Sequence, residues 1–280
     1  MHGPDIFVRS LSVPGITDKT GQVWQYHPQS DRHSKILCWG LLFDLLAQSS
    51  VLQRQMAEGS VVFGVNHEMR DFETGRRKNL DLVLARPGSE RLRRPRHLAR
   101  LGQEYGVRLS HEESAFLSAL PEVTEGTVGS VLIAVEAKAA MTAHQRALPR
   151  LYDELNSSHL TVHGASSEAL AVGVVTVNAC SSFVSPKLNK THGQPVRVSE
   201  HDQPRDVMLT LAKIRELPRR TKSSQHGYDA LGVIVFSCAN DGSAIQLITG
   251  SPALRESDDF HYDMMVRRVA HEYEAKFSYI

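Results

Sequence analysis

The chain has 280 residues, of which 41% are hydrophobic and 22% charged, with 32 Lys and Arg against 31 Asp and Glu for a formal charge of +1. These values lie in the globular range and exclude a wholly disordered chain and a uniformly basic binder, while leaving room for a local basic face. The length suits one large domain, or one domain with a modest extension.

No apolar run approaches the roughly 18 residues of a membrane span. The most continuous, Leu231 to Phe236, is strand-sized. The start, Met1-His2-Gly3-Pro4-Asp5, lacks the basic-then-apolar layout of a secretory signal. Cys38, Cys180 and Cys238 lie far apart in apolar stretches, as buried thiols of a reducing compartment do. The expectation is a soluble, cytoplasmic protein with no membrane partner.

Residues 1–32, rich in Gly, Pro, Gln, Asp and Ser, read as an irregular arm or short hairpin ahead of a domain spanning 33–280. From His33, the apolar residues between Ile36 and Leu46 predict a core helix. Val61 to Val65 and Leu80 to Ala85 predict an antiparallel hairpin, with a turn near Thr74-Gly75 and a stop at Pro87-Gly88. Residues 89–120 read as one or two helices whose first part is basic: Arg86, Arg91, Arg93, Arg94, Arg96 and Arg100 face a single acid, Glu90. Such a run is either a solvated face or a phosphate contact.

Val131 to Ala137 predicts a strand, followed by a helix with Thr142 as N-cap and Leu148, Leu151, Tyr152 and Leu155 on its apolar face. Leu170 to Ala179 is apolar throughout, like a central strand. Residues 185–204 read as a long loop, Val207 to Leu217 as a helix, and Arg219-Arg220-Thr221-Lys222 as a second basic patch. Leu231–Ser237 and Ala244–Thr249 form a hairpin around Asn240-Asp241-Gly242. A final amphipathic helix runs from about Asp258 to Phe277; its stripe of Tyr262, Met265, Val269, Tyr273 and Phe277 suits a core or a dimer surface. The order is α/β, a sheet flanked by helices.

Several chemistries are absent. The sequence has no Gly-x4-Gly-Lys-Ser/Thr loop, no Gly-x-Gly-x-x-Gly turn, no Gly-x-Ser-x-Gly elbow and no Cys-x-x-Cys. His-Glu occurs at His67, His111 and His271, but Asp71, Ala115 and Ala275 stand where a zinc protease needs its second histidine. His159 and His163 share a helical spacing without a third ligand in view.

One segment carries chemistry. In Val131-Leu132-Ile133-Ala134-Val135-Glu136-Ala137-Lys138, residues two apart share a strand face, so Glu136 and Lys138 point together, away from Val131, Ile133 and Val135. An acid and a lysine ending so apolar a strand are unfavourable unless they meet each other, water or a metal. Asp81 interrupts the hairpin strand in the same way, and acids are poor strand residues. The bland reading is an edge ion pair plus an acid capping a turn.

Asp81 on a hairpin strand, then an apolar strand ending in Glu136-x-Lys138, resembles the PD-(D/E)XK nuclease superfamily with its restriction-endonuclease-like fold. The helix before the hairpin, the helix after the lysine and the next buried strand follow that family's order over roughly residues 34–180. The sequence departs from the pattern at Leu80, where many members have proline, and in the long interval from Asp81 to Glu136, which makes residues of about 88–129 a basic helical insertion. Gln145 and Tyr152 are too far apart for the Gln-x3-Tyr of the RecB-like branch.

The resemblance implies a restriction-endonuclease-like α/β core, a mixed central sheet flanked by helices. It also implies a Mg2+-dependent hydrolase, with Mn2+ as substitute. Asp81 and Glu136 would hold the metal and Lys138 would orient the attacking water or stabilise the phosphate charge. Cleavage of double-stranded DNA leaving a 5′-phosphate follows, as in a type II restriction or other anti-phage defence endonuclease, with a homodimer to cut both strands.

Asp44, on the first helix, is a candidate extra acid, with a helix-surface role as its alternative; Glu68, Asp71 and Glu73 are runner-up ligands. Arg93, Arg94, Arg96, His144, Arg146, Arg150, Arg219 and Arg220 are candidate nucleic-acid contacts. For Arg146 and Arg150 a surface ladder with Asp153 is the alternative. The competing function is a catalytically silent nucleic-acid-binding or assembly module on the same fold.

Overall fold

The computed structural model describes every residue except 73, 91, 192 and 193. The elements in chain order are α1 (Gly3–Ser12), β1 (Ile16–Thr17), β2 (Val23–Trp24), α2 (Arg32–Gln48), α3 (Ser50–Ala57), β3 (Val62–Arg70), β4 (Arg77–Pro87), α4 (Leu98–Tyr105) and α5 (His111–Ala119). They continue with β5 (Val128–Ala140), α6 (His144–Ala165), β6 (Leu170–Asn178), β7 (Ser182–Val184), β8 (Val198–Glu200), α7 (Arg205–Arg215), β9 (Ala230–Ser237), β10 (Gln246–Leu247) and α8 (Tyr262–Phe277).

Six strands form one mixed sheet in the order β10-β9-β6-β5-β4-β3. The β3–β4–β5 half is antiparallel, β5, β6 and β9 run parallel, and β10 returns antiparallel on β9. Parallel neighbours need crossovers, supplied by α6 between β5 and β6 and by α7 between β6 and β9. Both crossovers step the same way along the sheet, so α6 and α7 cover one face. Their Leu151, Leu155, Val207, Leu211 and Ile214 close one apolar cluster with Val175 and Val177. The opposite face is covered by α1, α2 and α8 around Ile36, Leu41, Phe43, Val172 and Phe236. Because α2 lies between the sheet and other helices, it is apolar all round.

The Tyr262, Met265, Val269, Tyr273 and Phe277 stripe of α8 is buried in that second cluster, so it is core and not a free dimer surface. Among the described residues no single helix is long and apolar enough to cross a membrane.

Two expectations are corrected. Residues 1–32 contain the expected short hairpin, β1–β2, but also a helix, α1, whose Ile6, Phe7 and Leu11 are buried in the main core. The basic stretch ahead of Leu98 is not helical: its described residues between Gly88 and His97 form bends and irregular backbone. Pro95 denies that stretch an amide donor and biases Arg94 away from the helical region. The two helices of the insertion, α4 and α5, begin only after it. Arg91 lies outside the described residues.

Candidate active site

The ladder between β4 and β5 ends at Leu82 opposite Val135. Beyond that pair the strands part: residues 77–80 pair with β3, and Glu136 to Ala140 pair with β6. Asp81 and Glu136 are the first residues past this fork. Fork geometry frees backbone amides that a continuous ladder would occupy, and such groups need partners. Asp81 supplies one, its Oδ2 accepting from Ala137 N at 2.8 Å.

A second irregularity coincides with the fork. The β3–β4 ladder pairs Val65 with Leu82 and His67 with Leu80, but not Asn66 with Asp81. Asn66 has φ +51°, a left-handed conformation that asparagine adopts more readily than most residues. The register is the same on both sides of this irregularity, yet β4 turns over across it: Leu80 packs in the α6–α7 cluster, whereas Leu82, two residues on, packs in the α2 cluster. Asp81 sits at the crossing point, near Ser34 on the first turn of α2, whose hydroxyl donates to Asp31 O at 3.0 Å.

Glu136 is buried at 2% exposure, and its Oε1 lies 2.7 Å from Lys138 Nζ and 3.6 Å from Lys78 Nζ. Lys138 is held again by Glu154 Oε2 at 3.3 Å, from α6. Lys78 also donates to the Glu154 carbonyl and, at 2.9 Å, to Ser157 Oγ. The structure therefore brings together the three expected residues, Asp81, Glu136 and Lys138, and adds Lys78 and Glu154.

Burial holds the carboxyls of both Asp81 and Glu136 above their ordinary range; for Glu136, Lys138 and Lys78 oppose that push and the Asp81 charge adds to it. For Lys138, burial acts downward, but Glu136 and Glu154 outweigh it and the ammonium is held above its usual value. Burial lowers Lys78. His33, beside Ser34 on α2, is pushed down to about 4 by burial and by the Lys138 charge.

Glu136 Oε2 is buried without a hydrogen-bond partner, an unfavourable state for a carboxylate oxygen and one that a cation relieves. Among the described residues no three His, Cys, Asp or Glu side chains group as a metal-binding cluster. Two carboxylates still fit Mg2+, which takes one or two carboxylates and completes its shell with water and phosphate oxygens.

The other candidates fall elsewhere. Asp44 lies ten residues along α2 from Ser34, about 15 Å away. It accepts from His2 N and Gly3 N, both at 2.7 Å, and from Tyr262 Oη at 3.0 Å, anchoring the start of α1. Glu68 is exposed on β3 and pairs with Arg77 at 3.3 Å. Asp71 is buried in the hairpin turn, where it accepts from Thr74 N at 3.3 Å. Glu73 lies outside the described residues.

Among the basic candidates, Arg93, Arg94 and Arg146 are exposed. Arg150 is exposed and pairs with Glu154 at 2.6 Å. Arg219 is exposed and pairs with Asp259 at 3.3 Å, its guanidinium over the Phe260 ring. Arg96 is clamped by Glu125 through two 2.7 Å bonds. His144 is buried edge-on to His201. Arg220 is buried, bonded to Asp229 at 2.9 Å and to the Ser167 and Ala169 carbonyls. Arg220 and His144 are thus framework residues with no surface to offer a phosphate.

No family model, curated protein or solved structure matches this chain. The geometry of the fork is what its function has to be read from.

Lys78 and Glu154 escape sequence reasoning for one reason each. Strand alternation puts Lys78 and Asp81 on opposite faces of β4, and only the overturn opposite Asn66 brings the two to one site. Glu154 looks like the i,i+4 partner of Arg150, which it is, while its other oxygen faces the strand. The residues available as a signal were Lys78, three before the odd acid, and an acid one turn beyond Arg150.

Proposed function

We propose that the chain is a Mg2+-dependent endonuclease acting on double-stranded DNA, built on a restriction-endonuclease-like core and serving restriction or another anti-phage defence. The observation that carries the reading is the strand fork. It presents Asp81, Glu136 and Lys138 at one point, with Glu136 Oε2 unpartnered. Asn66, left-handed where β3 passes Asp81, marks the same point.

Asp81 and Glu136 would hold the ion, which when bound supplies Lewis acidity toward a phosphate oxygen and lowers the pKa of water. Lys138, steadied by Glu154, stands next to Glu136 and donates to the attacking water or to a phosphate oxygen. Water adds to phosphorus, the P–O3′ bond breaks, and the products are a 5′-phosphate and a 3′-hydroxyl. Lys78 contributes a second positive charge at the same carboxylate, favourable toward a phosphodiester. The exposed Arg93, Arg94 and Arg146 would meet the backbone of the duplex, and a homodimer would deliver two sites to two strands.

The test is incubation of the purified protein with supercoiled plasmid in Mg2+ or EDTA, beside Glu136→Ala and Lys138→Met. Cutting that needs Mg2+ and falls at least a hundredfold in both variants supports the reading. Cutting retained in Glu136→Ala rejects the fork as the site. DNA binding without cutting by the wild type favours the silent module.

A further inference from the structure

Two ammonium groups converge on one carboxylate oxygen at the fork: Lys138 Nζ lies 2.7 Å and Lys78 Nζ 3.6 Å from Glu136 Oε1. They are held in different ways. The partners of Lys138 are carboxylates, Glu136 and, at 3.3 Å, Glu154 Oε2. Lys138 can therefore lean to Glu154 when Glu136 takes another cation. Lys78 is anchored instead by neutral groups of α6, the Glu154 carbonyl and, at 2.9 Å, Ser157 Oγ. Its side chain is 16% exposed, and Glu136 is the most distant of its three partners. The anchor holds whatever happens at Glu136.

The balance of charge shows what a fixed cation does here. With all groups ionised, the carboxylates of Asp81, Glu136 and Glu154 stand against the cations of Lys78, Lys138 and Arg150. The network is neutral by itself. A divalent ion at Asp81 and Glu136 adds two positive charges beside an ammonium that its anchor keeps in place. Like charges repel far more strongly in a site shielded from water than in bulk solvent. An ion that arrives alone is thus held weakly. A phosphodiester carries a negative charge that attracts Lys78 first, and its arrival offsets the excess charge that the ion brings.

We propose that Lys78 sets the order in which the fork fills, nucleic acid first and the divalent ion second. Its fixed ammonium weakens the ion in the empty fork and strengthens the phosphodiester there. This rests on the reading of the fork as the metal site of a nuclease. Lys78 is a positioning residue in this scheme, acting by charge on both ligands.

Two titrations of the unliganded protein test it, and neither needs cleavage. Mg2+ binding is followed by calorimetry without nucleic acid. Binding of a short duplex of mixed sequence is followed by fluorescence anisotropy in EDTA. Lys78→Met is expected to bind Mg2+ about tenfold more tightly than the wild type, and the duplex several-fold more weakly. Lys78→Arg keeps the charge and should match the wild type in both titrations. A lysine that merely ties β4 to α6 would, when removed, loosen the fork and weaken both ligands. Opposite signs are therefore the signature of the charge. Lys78→Gln is neutral but keeps a donor toward α6, and it decides the matter even where Lys78→Met fails to fold.

The proposal is overturned if loss of the charge leaves Mg2+ affinity unchanged or weakens it, or if duplex binding does not fall. Its failure is separable from that of the nuclease reading. An ion bound equally by the wild type and Lys78→Gln rejects the ordering alone. An ion bound by neither rejects the fork as a metal site, and the ordering with it.

Discussion

At the scale of single residues, charge placement separates function from framework. Arg220 illustrates framework: its guanidinium is buried against Asp229 and two carbonyls. Removing one partner of a buried pair leaves the other charge uncompensated, so Arg220→Ala should destabilise the fold by about 3–5 kcal/mol. Arg93→Ala or Arg94→Ala, on exposed backbone, should stay within about 0.5 kcal/mol. Urea unfolding of the three variants checks the contrast. Arg219 and Arg220 are adjacent in sequence and look alike there; only the fold shows that one faces Asp259 at the surface and the other Asp229 inside. Asp81, Glu136 and Lys138 were legible because each is out of place in an apolar strand. Lys78 and Glu154 were not, since a charged residue at a strand start or on a helix face is unremarkable until its partner is known.

At the scale of elements, the break in the β3–β4 pairing at the left-handed Asn66 sets the site. It turns β4 over, so that Asp81 reaches the fork while Leu80 and Leu82 enter opposite cores. Asn66→Val forces a β-branched residue into a left-handed conformation, and should lower stability by about 1–2 kcal/mol. On the proposed function cleavage should fall with it, whereas Asn66→Gly keeps the left-handed backbone and both properties. Thermal melts and initial cleavage rates measure the pair. The strands around this point were readable from alternation and from the Pro87-Gly88 and Asn240-Gly242 turn signals. The helix α1 was not: its Gly3-Pro4 start and short length resemble a loop, and its helicity depends on burying Ile6, Phe7 and Leu11 against α2. The basic stretch before Leu98 erred the other way, because charge composition suits a helix surface while Pro95 does not allow the backbone.

For the whole molecule, two apolar layers on one mixed sheet follow from the sequence order, but which strands neighbour which does not. That β4 leaves β5 at Leu82 is a tertiary fact. The layers also enclose histidines. Burial pushes His144 and His159 down to about 4 from an ordinary 6.5. A histidine depressed by folding adds stability above its unfolded pKa and loses it as pH falls through the interval down to the folded value. Stability should therefore decline from about pH 6.5 toward about pH 4, by up to about 1.4 kcal/mol per pH unit for each such histidine. Both ring nitrogens of His144 lack partners, so His144→Phe keeps the ring packing and should flatten part of that decline. Urea midpoints near neutral pH and near pH 5 compare the two proteins.

The central claim is that Asp81 and Glu136 form a divalent-cation site at the fork. Calorimetric titration of Mg2+, or of Mn2+ in its place, into the wild type and Glu136→Gln tests it most directly. One bound ion per chain in the wild type, lost in the variant with the fold retained, is the result the proposed site predicts. An unchanged titration in Glu136→Gln, or no ion bound by the wild type, would contradict it.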